Sequence, residues 1–371
     1  MLSIVEAPAI VRVRKRSTHG PLDEDRALRR AIDAMVGIDQ VQPIVFGGKL
    51  LAWAKGEQFS RGVSWRRARH GETWQMGYTS YDDLISEVSN SGKKFRNEWT
   101  KNATSAGIAN NYYDLWPVAG SPQAGTYTGT AFNARALSQS DTGALWHDGD
   151  KSPDTKHLLA AYGKASANTP TLYLYDRCLT YEACTFNANV NQAMTNTATL
   201  TRYQNAGEGG CKIMVTAQTA LGATAANLTQ LRYTNQAGTT LQVMPTAATI
   251  AIIVSAAAPT ATLGARVVAP ATGAATLPWG PHLPLAVGDG GVRLINDFTT
   301  SAANTGTLCF VLQRILAVIP CPTAGVASLV NLVQELPSLE RVRDGACLAI
   351  MAYQPATTAY TADGGIEFGW G

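Results

Sequence analysis

Apolar and polar residues alternate at a period near two through much of the second half of this chain. Leu228 to Tyr233, Thr239 to Met244, Ile250 to Ser255, Gly291 to Phe298, Thr307 to Leu316, Ala346 to Tyr353 and Ile366 to Trp370 read as strands, and Cys211 to Gln218 alternates in part. Turn signals separate them: Asn205-Ala206-Gly207, Gln236-Ala237-Gly238, Asp289-Gly290 and Asp363-Gly364. About eight to ten strands with long Ala/Thr/Pro connections predict a β-sandwich, jelly-roll-like in style, over residues 170–371. The first part of the chain has a different texture. Residues 1–20 predict an extended arm, because Ile4, Val5, Ile10, Val11 and Val13 are β-formers with no helical spacing. Residues 21–118 form a partly helical, Trp-rich region. One helix starts at Pro21, with Asp23, Glu24 and Asp25 in its first turn, a stripe of Leu22, Leu28, Ile32 and Met35, and a stop at Gly37. A second starts at Ser80, turns Leu84, Ile85 and Val88 inward, and resumes through Phe95 and Trp99 after Gly92. Residues 119–169 predict a Gly/Ser/Thr-rich connector, with a helix opening at Pro153 behind a Ser152 cap. The fold class is therefore mainly β, α+β overall.

Charge changes this picture in one place. The seventy-six residues from Ile213 to Gly288 carry two charges, Arg232 and Arg266, where about nineteen are expected at the usual charged fraction. The longest apolar run there, Ala247 to Pro259, is broken by Thr and Ser and is shorter than the ~20 residues of a membrane span. Cover by other subunits explains the depletion, since interface cores exclude charge. The interior of a large sandwich, with small polar residues facing water, is the competing explanation. Residues 1–105 hold 17 Lys/Arg and 12 Asp/Glu, net +5, and the rest hold 13 and 15, net −2. The basic clusters Arg12 to Arg16 and Arg61 to Arg69 fit solvated surface or ion pairs to a neighbouring subunit better than nucleic acid. The start lacks the order of a secretory signal, so folding in a cytoplasm is expected, with the six cysteines as buried free thiols.

The candidate chemistry is sparse. Asp148, Asp150, Ser152 and Asp154 fall at positions 1, 3, 5 and 7 of a calcium loop, but Pro153 stands where the turn needs Gly and Leu159 where a bidentate Glu belongs. The histidines (His19, His70, His147, His157, His282) are scattered. No HExxH, GxSxG, Walker A or GxGxxG pattern occurs. These observations predict no catalytic, cofactor-binding or metal-binding residue, no cofactor, no small-molecule substrate and no membrane partner.

The basic arm Val11 to Arg16, the tract Gly125-Thr-Tyr-Thr-Gly-Thr-Ala-Phe-Asn133 and the charge-poor β region ending in Gly365-Ile-Glu-Phe-Gly-Trp-Gly371 resemble, in overall style, a virion structural protein of a tailed bacteriophage. That resemblance implies a non-enzymatic head (capsid) protein, a decoration, cement or shell component, that stabilises the shell by subunit contacts. It implies partners that are copies of itself and other virion structural proteins, a place in the virion after assembly in the host cytoplasm, and an assembly arm of Ile10, Val11, Arg12, Val13, Arg14, Lys15 and Arg16. A tail or neck protein is the first alternative. The second is a β-sandwich glycan-binding module or hydrolase, with Trp146, Trp279 or Trp370 as a stacking platform.

Overall fold

The computed structural model describes residues 11–13, 42–46, 49–54, 78, 81–89, 92–103, 109–151, 154–204, 210–222, 224, 226–245, 250–252, 268–270, 280–335 and 339–371. The chain divides into two compact units, Met1–Trp74 and Gln75–Gly371.

The first unit contains a three-stranded sheet of β1 (Val11–Val13), β2 (Gln42–Phe46) and β3 (Lys49–Ala54). β1 runs parallel to β2, with Val11 opposite Ile44, and β3 is antiparallel to β2. Three residues of the expected arm, Val11, Arg12 and Val13, are thus paired within the chain. Ile10, Arg14, Lys15 and Arg16 lie outside the described residues, as does the helix expected from Pro21.

The second unit holds, in chain order, α1 (Tyr81–Ser89), β4 (Lys94–Ala103), β5 (Asn111–Asp114), β6 (Gly120–Ser121), β7 (Ala134–Ala136), β8 (Lys156–Ala165), β9 (Thr171–Cys184), β10 (Gln192–Ala193), β11 (Lys212–Ala217), β12 (Ala226–Asn235), β13 (Gln242–Val243), β14 (Ile250–Ile252), β15 (Val268–Pro270), β16 (Val292–Thr300), β17 (Leu308–Pro320), β18 (Ser328–Asn331), α2 (Leu332–Glu335), β19 (Leu348–Gln354) and β20 (Tyr360–Trp370). They form three sheets: β11-β17-β9-β19-β5 with β7 on β9, β10-β16-β12-β14-β15 with β13 on β12, and β18-β8-β20-β4-β6. The architecture is mainly β with antiparallel sheets, in keeping with the sandwich-like fold read from the alternation.

The long strands β9 and β17 are the spine of the first of these sheets, paired from Leu308 opposite Cys184 to Pro320 opposite Thr171 with three register shifts along the way. One face of this sheet serves two cores. Leu179, Tyr181, Phe310 and Leu312 pack with Leu231, Tyr233, Ile295 and Phe298 of the second sheet. Further along the same strands, Leu172, Leu174 and Ile319, with Leu348 and Ile350 of β19, pack with Leu158, Ala161, Ile366 and Phe368 of the third. The opposite face is also covered, by Trp116 against Tyr175, Met214, Cys309, Val311 and Met351. A sheet buried on both faces explains why Leu308 to Leu312 and Leu348 to Ala352 are continuous apolar runs.

Several sequence expectations change here. α1 forms as predicted, with Asp82 and Asp83 in its first turn and Leu84 buried, but Ile85 points outward at 59% exposure. The chain does not resume a helix at Phe95 and Trp99; it forms β4, paired along its length with β20. The helix expected from Pro153 is replaced by β8. Its run His157 to Tyr162 is short enough to suit either period, and alternate burial between two sheet neighbours decides for the strand. Residues 119–169 therefore contain β6, β7 and β8 as well as loops. The predicted strand from Thr239 shrinks to β13, because Thr239 N–H donates to Asn235 Oδ1 (2.8 Å) and closes a turn.

Gln236-Ala237-Gly238 and Asp289-Gly290 do mark turns, closed by Gly238 N to Asn235 O (2.9 Å) and Asp289 N to Ala286 O (3.0 Å). Asp363-Gly364 does not. Both residues lie inside β20, with Gly364 opposite Trp99. A Cβ on Gly364 would sit 2.4 Å from the Trp99 ring, and one on Gly365 2.5 Å from the Tyr162 ring. The two glycines let large rings cross the strand on its two faces, a packing need that looks like a turn in sequence.

Candidate functional site

The polar groups that could carry chemistry are engaged inside the fold. Asp114, at the end of β5, accepts hydrogen bonds from Trp116 N–H (2.9 Å), Tyr175 Oη (2.5 Å) and Arg177 Nη1, and the guanidinium of Arg177 lies 4.5 Å from the Trp116 ring. Arg202 grips Asp176 through Nε and Nη2, both at 2.8 Å, and donates to Leu137 O. Glu182 accepts from Arg135 Nη1 (3.0 Å) and Gly129 N–H (2.5 Å). These carboxylates are fully buried and matched by cations or donors, so they hold strands and loops in register.

The calcium-loop carboxylates also face cations, but nearer the surface. Asp148 faces Lys151, Asp150 faces Arg341, and Asp154 faces Lys93 at 2.7 Å. Ser152 and Pro153 lie outside the described residues. Among the described residues no group of three or more His, Cys, Asp or Glu side chains is placed to hold a metal ion. His147 is buried between the carbonyls of Ala346 (2.7 Å) and Asp148 (2.9 Å), and burial pushes its pKa down. Among the described residues, two lysines have buried ammonium groups that form no ion pair. Lys101 donates to the carbonyls of Val118 and Pro122, Lys156 to that of Asp148, and burial lowers both pKa values to about 8. All six cysteines are free and buried.

The charge-poor stretch is explained in part by the first core. Ile213, Val215, Leu228, Leu231 and Tyr233 lie inside it, so for β11 and β12 the sandwich-interior explanation holds. Leu241 and Val243, beside β12, are about half exposed.

The feature with the geometry of a contact site lies elsewhere. α1 and β18 flank an open groove of about 600 Å³ on the outer face of the third sheet, with Leu159, Ala160 and Tyr162 of β8 among its lining. Ile85 and Leu329 line it while remaining 59% and 64% exposed; Tyr81 and Val326 are exposed close by in sequence. Tyr81 Oη donates to Val333 O (2.9 Å), tying α1 to the segment after β18. Arg96 and Glu367, also in the lining, face each other at 3.8 Å. Alternation explains the exposure: Val330 turns to the core, so Leu329 must turn out. No residue of this groove stands out in the sequence as a contact. The available signal was the fourteen-residue run Cys321 to Gln334, which carries no charge.

Of the proposed aromatic platforms, Trp370 is fully buried, its indole N–H bonded to Gly149 O (2.9 Å) and its ring covered by Lys151. Trp146 is half exposed. Trp279 lies outside the described residues.

The sequence matches no family model and no curated protein. Among solved structures, the chain shows a very weak likeness to a mutant VP2 protein of infectious bursal disease virus in derived T=1 particles, at 11% identity over 74% of this chain and 77% of that one, with a TM-score of 0.15. The infectious bursal disease virus Gt strain structure gives 10% identity over 75% and 81%, with a TM-score of 0.13. Likenesses at this level carry no argument about function.

Proposed function

We propose that this protein is a non-enzymatic structural component of a virion, a bacteriophage head protein that stabilises the shell through subunit contacts. The observation that supports this reading best is that Ile85 and Leu329 stand exposed on an open groove, with exposed Tyr81 and Val326 close by in sequence. Large apolar side chains grouped on a surface mark an interaction site. The style of the sequence adds the phage assignment. Partners on this reading are further copies of the chain and other virion proteins. Copy number per particle, by quantitative mass spectrometry of purified virions, is the test. A head protein is expected at hundreds of copies. A count of about a dozen or fewer would move the assignment to the tail or neck, and absence from particles would overturn it. The half-exposed Trp146 favours a second reading, a glycan-binding module. Under that reading the chain binds oligosaccharides and Trp146→Ala abolishes the binding.

A further inference from the structure

We propose that the free edge of β18 is a seam at which two copies of this chain join their sheets, by antiparallel strand addition about a two-fold axis at Leu329. This deepens the assembly reading and rests on it. β18 ends its sheet: among the described residues its one strand neighbour is β8, with Leu329 opposite Tyr162. No other described backbone hydrogen bond reaches Ser328, Leu329 or Val330. In an antiparallel pair every second residue turns its N–H and C=O away from the partner, so this edge presents donors and acceptors outward.

Such edges are normally blunted by a lysine, a proline or a bulge, because they template pairing with another chain. β18 is short, itself one such defence, but it has no lysine, proline or bulge. Its register with β8 runs unshifted from Ser328 to Asn331, and Cys321 to Gln334 carries no charge.

The same neutrality selects the occupant. A two-fold axis normal to the sheet sets Leu329 against Leu329 of the second copy, and Ser328 against Val330. Like thus meets like near the axis, and any charge there would face its own copy and repel it. An uncharged edge with an apolar residue at its centre suits self-pairing. Leu329, now 64% exposed, would be covered by its own counterpart, and Val326 lies close enough in sequence to flank the seam. The pairing would run the two five-stranded sheets into one continuous sheet. With four residues in each strand the seam is small, so it gives weak, concentration-dependent association.

Sedimentation velocity of the full 39.4 kDa chain across a wide concentration range tests this. The wild type is expected to shift from monomer to dimer. Leu329→Lys, at an exposed position, should keep the circular dichroism and melting temperature of the wild type while weakening dimerisation at least tenfold. Val326→Lys serves as the second variant should Leu329→Lys disturb folding. If the wild type associates and both folded variants associate equally well, the seam is wrong and the assembly reading stands. If the wild type stays monomeric throughout, the seam is wrong and copies of the chain drop out as partners. If it binds only a different virion protein through this edge, the occupant proposed here is overturned.

Discussion

Replacing Arg177 by methionine is expected to lower the unfolding free energy by about 3–5 kcal/mol, the usual cost of stranding one member of a buried ion pair. Arg177 and Asp114 are 0% and 1% exposed, and the carboxylate would keep its place with its cation gone. The loss is large because Asp114 does more than neutralise. It orders the chain entering Trp116 through that residue's N–H and fixes Tyr175 on the spine strand. Trp116 in turn covers the outer face of the central sheet. The companion variant Asp114→Asn with Arg177→Met removes both charges and leaves an acceptor for Trp116 and Tyr175. It should be less damaging than the sum of the single changes, by about 1–3 kcal/mol, the range seen for residues in contact. Urea unfolding of the two single variants and the double variant measures this. Additive losses would show that the pair is not coupled.

Stability is expected to rise slightly between pH 8 and 9 and to collapse above about pH 10. Two sets of buried groups act in opposite directions. Burial lowers Lys101 and Lys156 from 10.5 to about 8. Between those values the unfolded chain holds a proton that the folded chain has released, so these groups add stability as pH rises through that window. Burial raises the thiols of Cys178, Cys184, Cys309 and Cys347 above their ordinary 9.0, Cys309 to about 12. Their contribution is complete below about pH 9 and is lost as pH climbs towards the folded values, at about 1.4 kcal/mol per thiol for each pH unit beyond the unfolded pKa. Burial raises the phenols of Tyr127, Tyr175 and Tyr203 above 10.0, which steepens the loss further. The lysine gain saturates near pH 10.5 while the thiol and phenol losses keep growing, so the losses win. Urea midpoints from pH 7 to 11 report both limbs. Lys101→Met should flatten the rise and leave the alkaline collapse in place. A midpoint that falls steadily from pH 7 would contradict the assignment of the lysines.

The strands of the second half were legible where burial is one-sided or continuous. β12, β16, β17 and β19 overlap segments whose apolar pattern announces them, though each strand runs past its segment, and the pattern announces only the last part of β20. What sequence could not show was partnership. β20 pairs with β4, more than 250 residues earlier, and Trp99 finds room only because Gly364 lies opposite it. Read locally, that glycine looks like a turn and Phe95 to Trp99 looks like a helix. β8 looks helical for the same reason: a short apolar run has no period of its own until neighbours bury alternate residues. The groove was harder still. Leu329 and Val330 are adjacent and equally apolar, and only the pairing of β18 with β8, which fixes the alternation, turns one towards the core and leaves the other exposed. The low charge from Ile213 to Gly288 was visible at once, yet in β11 and β12 it reflects a core. The short neutral run around β18 also coincides with exposed apolar side chains, Val326 and Leu329.

Cover of this surface by neighbouring subunits is open to a direct check by hydrogen exchange in the isolated chain and in assembled particles. Slower exchange on assembly is expected for the amides of α1 and of Gly325 to Asn331, with little change in β9 and β17, which are already buried in the spine. Equal exchange of α1 and β18 in both states, or protection confined to other surfaces, would contradict it.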